Sequence, residues 1–154
     1  MTTADELLEF PALAGLSAEH RALLADLAEA VAVPAGERIF DQGRPATACW
    51  LIRTGRVTLD AGQSAGPRYV VQTLGPGDVL GWSWLVAPYR WQLGATAVEP
   101  VTAVRLDAAA VRAAADRDPS FGYPFVSGLI AAVLPRLHGT RARLLDLYGN
   151  PRDR

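Results

Sequence analysis

Cys49-Trp-Leu-Ile-Arg-Thr-Gly-Arg-Val-Thr-Leu59 holds two short runs of strand-forming residues on either side of Thr54-Gly55. Aromatic and β-branched side chains favour a pleated surface, and glycine admits the tight turn between the runs, so the stretch predicts two short strands joined by a turn. The pattern repeats outward in Val31-Ala-Val33, Arg38-Ile-Phe40, Tyr69 to Leu74, Val79-Leu80, Leu93 to Val98 and Val101 to Leu106. Turn signals separate these runs at Pro34-Ala-Gly36, Asp41-Gln-Gly43 and Gly75-Pro-Gly-Asp78. About eight short, regularly punctuated strands predict an antiparallel roll or barrel. Gly62 to Pro67 is small and polar and is expected to be a mobile hairpin loop.

On both flanks the apolar period changes from two to that of a helix. Ser17 is placed to cap a helix over Ala18 to Val31, with Leu23, Leu24, Leu27 and Val31 on one face and Glu19 in its first turn. A shorter helix near Asp5 to Phe10 should stop before Pro11. Asp107 can cap Ala108 to Ala115, and Asp118-Pro119 reads as a cap followed by a first-turn proline. Val126, Ile130, Val133, Leu137, Thr140, Leu144 and Leu147 then form a heptad seam, interrupted in character at Thr140 and bent at Pro135. The expected fold is mainly β with flanking helices: N-terminal helices over 1–31, a roll over 32–106, C-terminal helices over 107–148 and a tail over 149–154.

The chain has 154 residues, half of them apolar, which suits one domain with a real core and excludes a disordered segment. No apolar run approaches the ~20 residues of a membrane span. All 15 cations are Arg, so Schiff-base and phosphate-loop lysine chemistry is excluded. Six acids against Arg21 over residues 1–35, and five Arg against Asp146 and Asp153 over 136–154, leave no strongly basic face, and direct DNA binding is not expected. The Arg-rich end, Arg136 to Arg154, reads as helix C-terminus and solubility rather than a phosphate contact. Cys49 is the only cysteine, which excludes an intrachain disulfide and Cys-based metal centres. His20 and His138 are far apart, and no nucleophile elbow or paired His/Glu set occurs. No catalytic residue and no metal site is expected, and the acidic start, Met1-Thr-Thr-Ala-Asp-Glu6, gives cytoplasm as the expected location.

Four stretches carry a family resemblance: Leu13-Ala-Gly-Leu-Ser17, Pro34-Ala-Gly-Glu-Arg-Ile-Phe-Asp-Gln-Gly43, Trp50-Leu-Ile-Arg-Thr-Gly-Arg-Val57 and Leu74-Gly-Pro-Gly-Asp-Val-Leu-Gly81. Together, over about residues 8–148, they resemble the cyclic nucleotide-binding domain family of the cAMP receptor protein (Crp-Fnr) type. That resemblance implies a jelly roll, a double-stranded β-helix, flanked by helices, with a long last helix that often mediates dimerisation. It also implies a phosphate-binding cassette between two roll strands, where Gly-Glu places a carboxylate on the ribose and an Arg about ten residues later pairs with the phosphate.

The matching segment here is Leu80-Gly-Trp-Ser-Trp-Leu-Val-Ala-Pro-Tyr-Arg-Trp-Gln-Leu-Gly-Ala-Thr96. Trp82 takes the carboxylate position and Trp91 the arginine position by direct count, with Arg90 one residue earlier. Losing a charge-assisted hydrogen bond costs roughly 1.5–3 kcal/mol, so an ordinary cAMP site is not expected. Two readings stay open. In one, Gly81, Trp82, Ser83, Trp84, Arg90, Trp91 and Thr96 form a pocket for a cyclic nucleotide or another planar anion, stacked on indole and charged by Arg90. In the other, the tryptophans plug the pocket.

The resemblance further implies that a DNA-reading helix-turn-helix would follow the long helix, whereas the sequence stops at Arg154. The expected function is a non-catalytic regulatory or sensor domain without a cofactor, homodimeric through Val126, Ile130, Val133, Leu137, Leu144 and Leu147. The alternatives are a structural adaptor with a protein partner, or an accessory subunit of a transcriptional regulator.

Overall fold

A computed structural model describes residues 2–61 and 67–148, with side chains through Pro135. All eight expected strands form, as two four-stranded antiparallel sheets. One sheet runs in the order β1 (Ala28–Val33), β8 (Val101–Asp107), β3 (Ala48–Thr54), β6 (Val79–Leu80); the other runs β2 (Arg38–Phe40), β7 (Gly94–Ala97), β4 (Val57–Ala61), β5 (Tyr69–Leu74). Non-sequential neighbours in both sheets define the jelly roll, and the Thr54-Gly55 turn joins β3 and β4 from one sheet to the other. Gly55 has φ of +91°, and a Cβ there would lie 2.2 Å from the Pro100 carbonyl oxygen, so this corner requires glycine.

β3 reads as an almost unbroken apolar run because both of its faces are covered. Cys49 and Leu51 join Val104 and Leu106 of β8 in a core beneath the helices. Ile52 joins Val57, Leu59, Leu74, Leu80 and Ala103 inside the roll.

α1 spans Ala18–Asp26, and the Ser17 side chain accepts from the His20 amide as the cap. The expected continuation to Val31 is corrected, because Ala28–Val33 pairs along the whole edge of β8. Ladder bonds override the helical spacing of Leu27 and Val31. The expected helix near Asp5 to Phe10 is instead two 3-10 turns, Glu6–Glu9 and Pro11–Leu13. α2 runs over Ala108–Arg117 with the Asp107 side chain accepting from the Ala110 amide. α3 starts at Pro119, where Asp118 accepts from the Ser120 amide, and continues to Tyr148 through Pro124 and Pro135.

α3 is seated on the body by Phe121, Phe125 and Leu129, all buried at helical spacing. It comes very close at Gly128, where a Cβ would stand 2.0 Å from the Ala12 carbonyl oxygen. The expected seam lies one residue further round: Val126 and Val133 are half-buried and Ile130 is exposed. The side chains of Leu137, Leu144 and Leu147, the tail and the loop at 62–66 lie outside the described residues. No described helix is long and apolar enough to cross a membrane.

Candidate functional site

The connection from β6 to β7 begins at Gly81, which is buried with φ of +91°. Trp82 follows, then a 3-10 turn over Ser83–Leu85, then an irregular return to Gly94 in which Tyr89 has a φ of +57°. Backbone bonds tie that return to the loop after β2: the Ala46 amide donates to Tyr89, the Trp91 amide to Arg44 and the Gly43 amide to Trp91. Arg90 bridges Pro45 in the same antiparallel manner.

With the backbone of 89–91 fixed by these bonds, Trp91 is buried and Arg90 is exposed. Trp91 is 4% exposed and lies flat on Phe40, with ring centroids 3.8 Å apart and planes within 10°. Trp50 closes the group at 6.1 Å from Trp91. The Trp91 ring also fills the space over Gly81, where a Cβ would come within 2.9 Å of it. What remains among Phe40, Leu59, Gly81, Trp82, Trp91 and Leu93 is a cavity of about 30 Å³. Pockets for small organic ligands run to ~300–1,000 Å³, so the remaining volume suits a water rather than a nucleotide.

The expected constellation is therefore split. Gly81, Trp82, Ser83 and Trp91 line the small cavity, whereas Trp84, Arg90 and Thr96 stand outside it. Arg90, expected as the charge of an aromatic pocket, is exposed, stands outside the small cavity and donates from Nη1 to the Gly43 carbonyl at 2.9 Å. Trp84 is buried beneath the helices, its Nε1 donating to the Gly81 carbonyl at 3.0 Å.

Thr96 is engaged by Arg38, whose Nη1 donates to the Thr96 hydroxyl and to Asp60. Nη2 of Arg38 donates to the other Asp60 oxygen at 2.9 Å, and Nε to Asp41 at 2.8 Å. These carboxylates raise the Arg38 pKa further above its already high value, and Arg38 in turn lowers that of Asp41. The cation beside the old pocket is thus consumed internally rather than presented to an anion. Gly94 leaves it room, since a Cβ would lie 2.0 Å from Nη2.

Two contributors were not singled out by sequence. Phe40 supplies the face on which Trp91 lies. Arg112 of α2 donates to the Trp84 carbonyl and stands 4.3 Å over the Tyr89 ring, holding the cassette from the helical side. Only helical periodicity marked Arg112, and it marks every residue of α2 equally.

Cys49 is fully buried, and burial pushes its thiol up to about 12, far from the range of a reactive thiolate. Among the described residues no group of three His, Cys, Asp or Glu side chains could hold a metal ion.

A jelly roll of two antiparallel sheets, with a turn of helix between β6 and β7 and helices packed on one sheet, is the architecture of a cyclic nucleotide-binding domain. The model of the cyclic nucleotide-binding domain matches residues 30–118, and the chain belongs to that family. A putative cyclic nucleotide-binding protein from Geobacter metallireducens is 28% identical, covers 90% of this chain and 100% of its own, and superposes with a TM-score of 0.81. A cyclic nucleotide-binding domain from Methylobacillus flagellatus shares the fold at 16% identity, with coverage of 98% and 89% and a TM-score of 0.82. The regulatory subunit of a cAMP-independent protein kinase A from Trypanosoma brucei shares it at 20% identity, 76% and 47% coverage and a TM-score of 0.61. No curated protein matches the chain in sequence.

Proposed function

We propose that this chain is a non-catalytic regulatory adaptor, a cyclic nucleotide-binding domain closed to cyclic nucleotides, that works as a homodimer through α3. The observation that carries the closed pocket is the Trp91 ring stacked on Phe40, which leaves about 30 Å³ where a nucleotide would sit. The chemistry agrees with the volume. Trp82 stands where the family pattern has the ribose-binding carboxylate, and both nearby cations are committed, Arg90 to a backbone carbonyl and Arg38 to Asp60, Asp41 and Thr96. The Trypanosoma neighbour with this fold is described as the regulatory subunit of a cAMP-independent protein kinase A.

Titration with cAMP, cGMP and cyclic di-GMP tests the reading. A ligand at 100 times its Kd adds about 2.7 kcal/mol of stability. At ~2–4 °C per kcal/mol for a chain of this size, binding would raise Tm by about 5–10 °C. The expected outcome is no shift and no saturable heat with any of the three. A shift of that size with one of them overturns the closed-pocket reading.

A further inference from the structure

A second chamber lies on the helical side of the cassette. Trp84 and Tyr89 from the cassette, Val111, Arg112 and Asp116 from α2 and Phe125 from α3 line about 230 Å³ there. It shares no lining residue with the small cavity inside the roll, and it is several times larger. A dry cavity of ~150 Å³ holds a benzene molecule, so this chamber has room for a ring-sized apolar group and a few further atoms.

Its walls divide by chemistry. Trp84, Val111 and Phe125 are buried, and the Trp84 and Phe125 rings stand 6.2 Å apart, which gives an apolar floor. The rim is charged. Arg112 and Asp116 stand at i and i+4 of α2 and so share one face of that helix. Among the described residues no hydrogen bond or ion pair joins them, and Asp116 has no other partner. Arg112 is held in place without being used up. Its Nη1 donates to the Trp84 carbonyl at 2.6 Å and its guanidinium lies 4.3 Å over the Tyr89 ring, while Nε and Nη2 have no protein partner among the described residues. Arg38 beside the roll is the contrast, with all three of its nitrogens engaged by Asp41, Asp60 and Thr96.

Tyr89 carries a conformational mark. Its φ of +57° lies in the left-handed region that bulky side chains rarely adopt. Strained backbone of this kind clusters at binding sites, and here it belongs to the residue that supports the cation.

The charges select the occupant. A simple anion attracted to Arg112 is repelled by Asp116, and a simple amine attracted to Asp116 is repelled by Arg112. A ligand that carries a carboxylate and an ammonium close together satisfies both, and the floor suits one that also carries an apolar group. We infer that the chamber binds a free α-amino acid with a bulky apolar side chain: carboxylate on Arg112, ammonium on Asp116, side chain on Trp84 and Phe125. The site lies outside the roll, so the inference stands or falls apart from the closed-pocket reading.

Calorimetric titration of the full chain with L-phenylalanine, 3-phenylpropionate and 2-phenylethylamine tests it. The expected result is saturable binding of L-phenylalanine, with Kd at least ~10-fold higher for the two analogues, each of which lacks one charged group. Asp116→Asn removes the ammonium's partner at an exposed position with no other bond, and Tm checks that the fold is intact. It should raise the Kd for L-phenylalanine ~10-fold or more and leave 3-phenylpropionate no weaker than before. Asp26→Asn, exposed on α1 and outside the chamber, is the control and should change neither. Absence of saturable binding with both L-phenylalanine and L-leucine overturns the inference. So does 3-phenylpropionate binding as tightly as L-phenylalanine, or an Asp116→Asn variant that binds L-phenylalanine as well as the wild type does.

Discussion

Trp91 and Trp82 belong to one connection between two strands, yet the first is 4% exposed and the second 48%. Trp91 faces the roll, where backbone bonds with Arg44 and Gly43 fix it over Phe40 and its ring fills the space over Gly81. Trp82 faces the helical flank, where it borders an open groove. The contrast shows that one connection between two strands can bury one indole in the roll and leave another on the surface. Composition treats the two indoles alike, and only the direction each is sent by the backbone separates the buried ring from the exposed one.

The largest effect is expected from breaking the inner side. Trp91→Ala removes an almost fully buried indole from between Phe40, Trp50 and Gly81, and aromatic-to-alanine changes in cores cost about 3–5 kcal/mol. Against a total stability of ~5–15 kcal/mol this is a large loss, visible as a drop of about 6–20 °C in Tm. A dry cavity of indole size should take up free indole and recover part of the loss, as apolar cavities bind apolar guests. Cyclic nucleotides should still fail to bind, because Trp82 leaves the ribose without its carboxylate. A loss under ~1 kcal/mol would show that Trp91 is not the filling of the roll.

The join between the two sides is tested by Arg112→Ala. Arg112 reaches from α2 to the Trp84 carbonyl and across the Tyr89 ring, so it holds the cassette against the helices. A charged hydrogen bond and a cation–π contact at a partly exposed site together contribute about 2–3 kcal/mol. The expected outcome is a Tm lower by several degrees and greater acrylamide quenching of the buried Trp84. Arg112→Lys should recover only part of this, since an ammonium lacks the planar fork. Unchanged quenching would remove Arg112 from this role.

The strands were legible because their signals are local. Arg38-Ile-Phe40 and Tyr69 to Leu74 form within the bounds their turn residues set, and Asp107 and Ser17 cap the helices that follow them. The first helix was overextended because Leu27 and Val31 continue a helical spacing, while pairing with β8 is a long-range fact. The cassette was legible as a deviation: Trp82 and Trp91 stand out against the family pattern. Whether they line or fill could not be read, because it depends on bonds from Arg44 and Gly43, some 45 residues away, that turn Trp91 in and Arg90 out. The seam at Val126, Ile130 and Val133 was visible as periodicity, but the core stripe beside it, Phe121, Phe125 and Leu129, was not distinguished from it, since both repeat at helical spacing.

The smallest effect concerns the seating of the flank by charge. Asp118 caps α3, accepting from the Ser120 hydroxyl and amide, with His20 at 3.5 Å on its other oxygen. The Ser120 hydroxyl, more than any other contact, holds the Asp118 carboxyl below its usual range. A carboxylate whose pKa is lower in the folded than in the unfolded chain contributes stability above its unfolded value, and that contribution is lost as pH falls through the folded value. Loosening of the first turn of α3 is therefore expected only below about pH 4. Asp118 is half-exposed, so the change should be slight and confined to that turn: faster amide exchange over Ser120 to Gly122 at pH 3 than at pH 6, after correction for intrinsic rates. Asp118→Asn keeps an acceptor for the Ser120 amide but does not titrate, and should flatten this dependence while leaving the Trp91 packing unchanged. The same acid limb in Asp118→Asn would move the pH response elsewhere; a shift in Trp91 emission over that range would show that the inner and outer sides of the cassette are coupled rather than independent.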